Sequence, residues 1–303
     1  MRSVRNKTTD NRRRTTDFLI SQFLNSPLGV RGSNMAIVKG PFQVTGSVGE
    51  LSFYTRRGSD KVIMRTKGGA SGDKIKRLPQ YAGFRNQQKE WSGVTKCASG
   101  VRMAFCGLHR IADYNLTAPL NGLVNKMQKA DSTAEKGKRP VRLSDYKQAL
   151  DGFNFNRNQP FNSVCRVSVS FEIDRAELTA TVNIPRINTA IDLVNLQRLP
   201  YFRLLVAIGT ASDMIYNEVL NDYLPAVEGL HGASAIVSSA WFAANAIIEE
   251  HQLVVSMTDK QKSRLTDSVS VILSIAVEFG TIGITGEPVE VKYAGSGKVL
   301  KVS

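Results

Sequence analysis

A lysine set just behind closely spaced glycines is the chemistry of a phosphate cradle, and "GGASGDK" (Gly68–Lys74) comes near to it. The Walker pattern needs four residues between its glycines, then Lys and a Ser or Thr hydroxyl for magnesium. Here three residues separate Gly68 from Gly72, Lys74 is displaced, and Ile75 stands where the hydroxyl belongs. Nucleotide hydrolysis is not expected from this loop, and "AGSGK" (Ala294–Lys298) fits less well still. The histidines His109, His231 and His251 are isolated from one another, with no GxSxG and no HExxH, so they read as surface or core residues. Cys97, Cys106 and Cys165 are odd in number and lie in no CxxC or Cys/His cluster. A disulfide framework and a structural zinc are therefore not expected, and a reducing compartment fits best. The chain reads as non-enzymatic and without a cofactor.

Its abundant chemistry is cationic. The 303 residues carry 40 Lys and Arg against 26 Asp and Glu, a net of +14, with an ordinary 42% apolar and 22% charged content. The excess is uneven: residues 1–150 hold 28 basic and 10 acidic residues (+18), whereas residues 151–303 hold 12 and 16 (−4). Such asymmetry is the footprint of a half that meets a polyanion or an acidic partner surface. The candidate contacts are Arg12, Arg13 and Arg14 near the N-terminus, then Arg56, Arg57, Lys61, Arg65, Lys67 and Lys74, and finally Arg85, Lys89 and Lys96.

These side chains need elements to hold them. Residues 1–34 begin "MRSVRNKTTDNRRRTTD", polar and basic without periodicity, the composition of an arm that is disordered alone and orders on a partner. Asp17 could cap a short helix through "FLISQFL", a run too short and too polar for an export signal and followed by no small-x-small cleavage site. Met35 opens a different kind of sequence and is a second candidate start of translation. No run of about 18 apolar residues offers a membrane span.

In "GSVGELSFYTRRGSDKVIMRTKGG" (Gly46–Gly69), Leu51, Phe53 and Thr55 alternate with Ser52, Tyr54 and Arg56, and Val62, Met64 and Thr66 with Ile63, Arg65 and Lys67. Period-2 alternation about a glycine-containing turn predicts a hairpin, with Gly46 and Gly49 marking a tight turn or close backbone approach. Arg56, Arg65 and Lys67 then share a face, where like charges call for an anion or acidic partner.

Beyond Pro79, Trp91, Val94, Ala98, Val101, Phe105 and Leu108 form a helical seam, with Arg85, Lys89, Lys96 and Arg110 within about 60° of one another on the far side. Gly93, Gly100 and Gly107 recur every seventh residue. At about 1 kcal/mol each relative to alanine, they argue for a break or for another backbone lying along that stripe. A second helix is expected with Pro119 in its first turn and Leu120, Leu123, Val124 and Met127 on one side. "NFNRNQPFN" (Asn154–Asn162) reads as a boundary.

After it the pattern turns to strands: Cys165–Ile173, Leu178–Ile184, "YFRLLVAI", "HQLVV", "SVSVILSIAVEF" and "PVEVKY". Antiparallel strands with one wet face argue for a sandwich. Residues 232–250 read equally as strand or helix. The expected fold is α+β, a basic hairpin-and-helix region followed by a mainly antiparallel β-sandwich, divided as arm 1–34, hairpin and helices 35–158, and sandwich 159–303.

The succession "GSVGELSFY…VIMRTKGG…FRNQQKEWSGVTKCASGVR" with a sandwich-like half resembles a set of uncharacterised proteins from Bacteroidetes bacteria. Those proteins begin near the equivalent of Ala36 with a glycine-flanked hairpin and an R-x-N-x-x-E-F/W helix start. Arg85, Glu90 and Trp91 match, and Gln87 departs from the pattern. The resemblance covers most of the chain after Met35, rests on structural motifs, and implies a fold with no activity attached. The expected function is a self-assembling structural protein, a phage-like or filament-type homo-oligomer. Its basic half would contact nucleic acid or an acidic neighbouring subunit, in the cytoplasm or within an assembled particle. The alternative is a secreted or cell-surface binding module with a sandwich fold; the tail "VEVKYAGSGKVLKVS" resembles the C-terminal sorting strands of Bacteroidetes export.

Overall fold

The computed structural model of the chain describes residues 45–55 and 61–303, together with the backbone of 35–38. The chain forms two compact units, residues 1–72 and 73–303, so the boundary expected at 158/159 falls inside the second.

In the first unit, β1 (Met35–Val38), β2 (Gly46–Val48), β3 (Leu51–Thr55) and β4 (Val62–Thr66) form an antiparallel sheet in the order β1-β4-β3-β2. The expected hairpin is its centre, pairing Ser52 with Arg65 and Phe53 with Met64. β2 joins β3 through Gly49–Glu50, with Gly49 at φ +54°. A two-residue loop with positive φ at its first position suits glycine, which has no Cβ to clash.

Helix α1 (Gly72–Arg77) begins on the last residue of the first unit, and α2 (Ala82–Ala104) and α3 (Thr117–Ala130) follow in the second. Strands follow: β5 (Ser170–Asp174), β6 (Thr179–Ile184), β7 (Ile187–Asn188), β8 (Tyr201–Ser212), β9 (Met214–Asn217), β10 (Asp222–Pro225), β11 (Ser234–Ser238), β12 (Phe242–Ala243), β13 (Ile247–Ile248), β14 (His251–Ser256), β15 (Val269–Ile282) and β16 (Pro288–Val302). The undecided stretch 232–250 is thus strand, in β11, β12 and β13. The principal sheet runs β11-β8-β15-β16, with β12 also on β8; a second runs β14-β6-β5, and every pairing is antiparallel. The architecture is α+β with a sandwich-like region.

β5, β6 and β14 keep the expected wet face: along β6, Ala180, Val182 and Ile184 are buried and Thr179, Thr181 and Asn183 only partly so. β8 and β15 do not. Phe202, Leu204, Val206 and Ile208 of β8 and Val271, Leu273, Ile275 and Val277 of β15 pack against the smaller sheet. Their alternate residues Leu205, Ala207, Ala211, Ile272 and Ala276 pack against Val94, Ala98, Val101 and Phe105 of the α2 segment and Leu120 and Val124 of α3. The helices thus form a third layer, and the two central strands are dry on both sides. That accounts for the nearly unbroken apolar run of β15. Each fully buried Val, Leu or Ile contributes about 1.5–3 kcal/mol.

On the helix side of the principal sheet Ala207, Ala211 and Ala276 are small, and a Cβ on Gly209 would run into the carbonyl of Ala104, so the α2 backbone rests directly on β8. The helical seam begins at Val94; Trp91, expected in it, is 46% exposed. Gly93 lies under the ring of Tyr223 and Gly100 under that of His231, so side-chain rings, rather than another backbone, fill that stripe. Gly107 is the break: after Cys106 at φ +47° it continues at +80°, the left-handed stop of a helix.

All three cysteines are free. Burial, with a smaller contribution from Asp213, pushes the Cys97 thiol up to about 12, and burial pushes Cys165 to about 11. Cys106 is half-buried. We expect a native thiol assay at about pH 8, near the pKa of an ordinary thiol, to label Cys106 quickly and the other two only after denaturation. Rapid labelling of all three in the native state would contradict this packing.

Candidate polyanion-contacting site

Arg12, Arg13, Arg14, Arg56 and Arg57 lie outside the described residues. The remaining sequence-predicted cations fall in three places, described in turn.

Arg65 sits on β4 opposite Ser52 of β3 and Met35 of β1. Tyr54, two residues along β3, shares that face, and the Arg65 guanidinium lies 5.4 Å from the centroid of its ring. Alternation gives Lys61 and Lys67, which flank β4, the same parity as Arg65. The Lys67 amide donates to the Glu50 carbonyl at 2.6 Å, closing the hairpin base. Lys74 lies on α1 beside Lys76 and Arg77, all three exposed.

The helix stripe is differently employed. Arg85 donates through Nη1 to the carbonyls of Ile75 (2.7 Å) and Leu78 (2.9 Å), a cation closing the C-terminal end of α1. Lys89 Nζ donates to Asn221 Oδ1 at 2.7 Å and lies 5.8 Å from the Tyr216 ring centroid. Lys96 Nζ meets Asp222 Oδ2 at 2.6 Å and the Tyr223 carbonyl at 2.9 Å. The Lys96 hydrogen bond outweighs partial burial and holds the Asp222 carboxyl below its ordinary value. The β9–β10 hairpin therefore lies across the stripe expected to face solvent or a ligand, and the acidic partner foreseen on another subunit is Asp222 of the same chain. Between α2 and this hairpin a cleft of about 360 Å³ remains, lined by Arg85, Gln88, Lys89, Ser92, Tyr216 and Asn221 among others.

Two ion-pair sites had no local signal in the sequence. Glu278, 2% exposed, takes both Arg110 (Nε and Nη2, each 3.0 Å) and Arg203 (Nε, 2.9 Å), and Arg203 stacks 4.4 Å from the Trp241 ring centroid. Glu90 on α2 takes Arg139. These pairs are compact, own-chain contacts. His231 is also occupied by backbone: Nε2 is 3.1 Å from the Lys96 carbonyl while Nδ1 accepts from the Ser212 amide, which places the ring proton on Nε2. Burial, then the charges of Arg102 and Arg110, lowers the pKa of His109. Among the described residues no group of three or more His, Cys, Asp or Glu is placed to share an ion, and no helix is long and apolar enough to cross a membrane.

No protein-family model, no curated protein and no solved structure matches the chain.

Proposed function

We propose that this protein is a non-enzymatic, self-assembling structural subunit, phage-like or filament-type, whose basic N-terminal half contacts nucleic acid or an acidic neighbouring subunit. The observation that carries the reading is where the chain leaves apolar side chains in water. Two groups of them lie on hairpins, Ile215, Val219 and Leu220 on β9–β10 and Ile282, Ile284 and Val289 on β15–β16, while others such as Val48, Ile191 and Leu196 are scattered. Val219 is 92% exposed and Ile284 fully so. Beyond Gly280, paired with Tyr201, the β15–β16 hairpin has no third strand among the described residues. Apolar groups clustered on such ends favour association, because burying them releases about 25 cal/mol per Å².

The cations that serve a polyanion are the sequence-predicted ones outside the helix stripe, which among the described residues are Lys61, Arg65, Lys67 and Lys74. Light scattering with and without nuclease tests the assembly, which should give a mass above the monomer that rises with concentration. A concentration-independent monomer at physiological salt would end this reading. For nucleic acid, affinity should fall by about 0.9 log units per phosphate contact for each log unit of salt. The double variant Arg65→Gln/Lys67→Gln should flatten that slope by about two contacts, whereas Lys96→Gln should leave it unchanged. An equal effect of both variants would return the helix stripe to the binding surface. Absence of any salt-dependent binding would leave the acidic subunit surface as the partner.

A further inference from the structure

The β15–β16 hairpin carries an irregularity that assembly does not use. Glu278 pairs with Gly295 and Gly280 with Glu290, so Phe279 alone stands opposite residues 291–294. Within this bulge Tyr293 adopts φ +63°. A bulky side chain in the left-handed region is costly, and it persists where the surrounding structure holds it; bulges of this kind re-aim side chains.

The bulge forms one wall of a cleft of about 130 Å³, whose other walls include Asp113, Asn156, Asn158, Gln159 and Gln197. Asn156 is 3% exposed and donates through Nδ2 to the carbonyls of Ile111 (3.1 Å) and Gly295 (3.3 Å). Two carbonyl acceptors on one end identify that end as the nitrogen, and the buried Oδ1 is left with no donor. A buried acceptor in that state calls for an N–H or O–H from outside the chain. Asp113 is already committed, accepting the backbone amides of Arg157 (2.9 and 3.1 Å) and Asn158 (2.9 Å), which pins the loop that presents Asn158. The side chains of Asn158, Gln159 and Gln197 form no hydrogen bond among the described residues.

We propose that this cleft is a subsite for one ring of a neutral sugar. Each free amide offers a donor and an acceptor, which is what a hydroxyl needs, since it both gives and takes a hydrogen bond. Tyr293, 58% exposed, has the Lys292 ammonium 5.0 Å from its ring centroid, and the ring face opposite that cation is the platform for the C–H face of the sugar. Asp113 is the charged side chain among the lining residues, which disfavours an anionic ligand there.

Saturation-transfer NMR on the full chain with glucose, galactose and N-acetylglucosamine, each tested alone, decides the matter. At least one sugar should receive saturation from the wild type. Tyr293→Asn should weaken that binding about tenfold, the order of effect expected of one stacked ring. Asparagine tolerates the left-handed φ, so the backbone is kept. The double variant Asn158→Ala/Gln197→Ala, on exposed side chains without hydrogen-bond partners among the described residues, makes the same test where Tyr293→Asn lowers the melting temperature. Transfer to none of the three sugars overturns the proposal. So does transfer that survives both variants, or equal transfer to glycerol, which has hydroxyls but no ring face.

Discussion

Replacing Gly209 by alanine should cost about 3 kcal/mol or more, and in a unit of this size lower the melting temperature by about 6–12 °C. The added methyl would sit 2.6 Å from Ala104 Cα and 2.7 Å from its carbonyl carbon, closer still to the oxygen. Backbone atoms of a packed helix cannot turn aside as a flexible side chain can, so relief requires α2 to lift from the sheet. Lifting it would open the contacts of Val94, Ala98, Val101 and Phe105 with β8 and β15. Gly122→Ala is the paired control. Gly122 lies within α3, and a Cβ there would meet nothing within 4 Å. That change should stabilise by about 0.5–1 kcal/mol, because alanine loses less backbone entropy on entering a helix. Calorimetry of the two variants should move the melting temperature in opposite directions. An unchanged value for Gly209→Ala would mean that α2 does not rest on β8 as described.

Glu90→Ala should be comparably severe. Glu90 Oε1 accepts from the Gly137 amide (2.8 Å) and Arg139 Nε (2.7 Å), and Oε2 from Arg139 Nη2 (2.7 Å). The side chains are 8% and 16% exposed, so truncating one leaves the other's charge buried without a partner, at about 3–5 kcal/mol. Glu90→Leu/Arg139→Met, which removes both charges, should cost distinctly less than either single change. The pair also sets a pH dependence. Burial acts to raise the Glu90 pKa, but the bonds from Arg139 and Gly137 together outweigh it and leave it below the usual 4.5. An acid with a depressed folded-state pKa stabilises fully above its unfolded value and loses that contribution as pH falls through the folded one. The stability gap between wild type and Glu90→Gln, measured by urea unfolding, should therefore be constant at neutral pH and shrink below about pH 4.5. A gap that widened on acidification would contradict this geometry.

Local pattern determined much of this protein. The alternation of Leu51–Thr55 and Val62–Thr66 records one face against another, and the hairpin follows from it. The 3–4 spacing of Val94, Ala98, Val101 and Phe105 likewise marks the face that α2 buries. Of the three glycines spaced by seven, which argued for a break or a close backbone without distinguishing among them, only Gly107 is the break, where a left-handed backbone after Cys106 suits a residue without a Cβ. The strands at Thr179–Ile184, Tyr201–Ser212 and Val269–Ile282 were readable as strands, and so was the antiparallel class.

What covers each face was decided only in three dimensions. Spacing placed Arg85, Lys89 and Lys96 on one side of a helix, but nothing local to residue 96 names Asp222, 126 residues later, as the partner of its charge. Nor does the pattern around Asn156 announce an unmatched amide beside a bulge at 291–294. A period of 3.6 or 2 reports that a side is apolar or polar because it reflects one element's own geometry. Burial of β8 on both sides depends instead on a helix far upstream and a sheet partly downstream. The free energy that selects such partners belongs to packing between distant segments, and it leaves no periodic trace in either one.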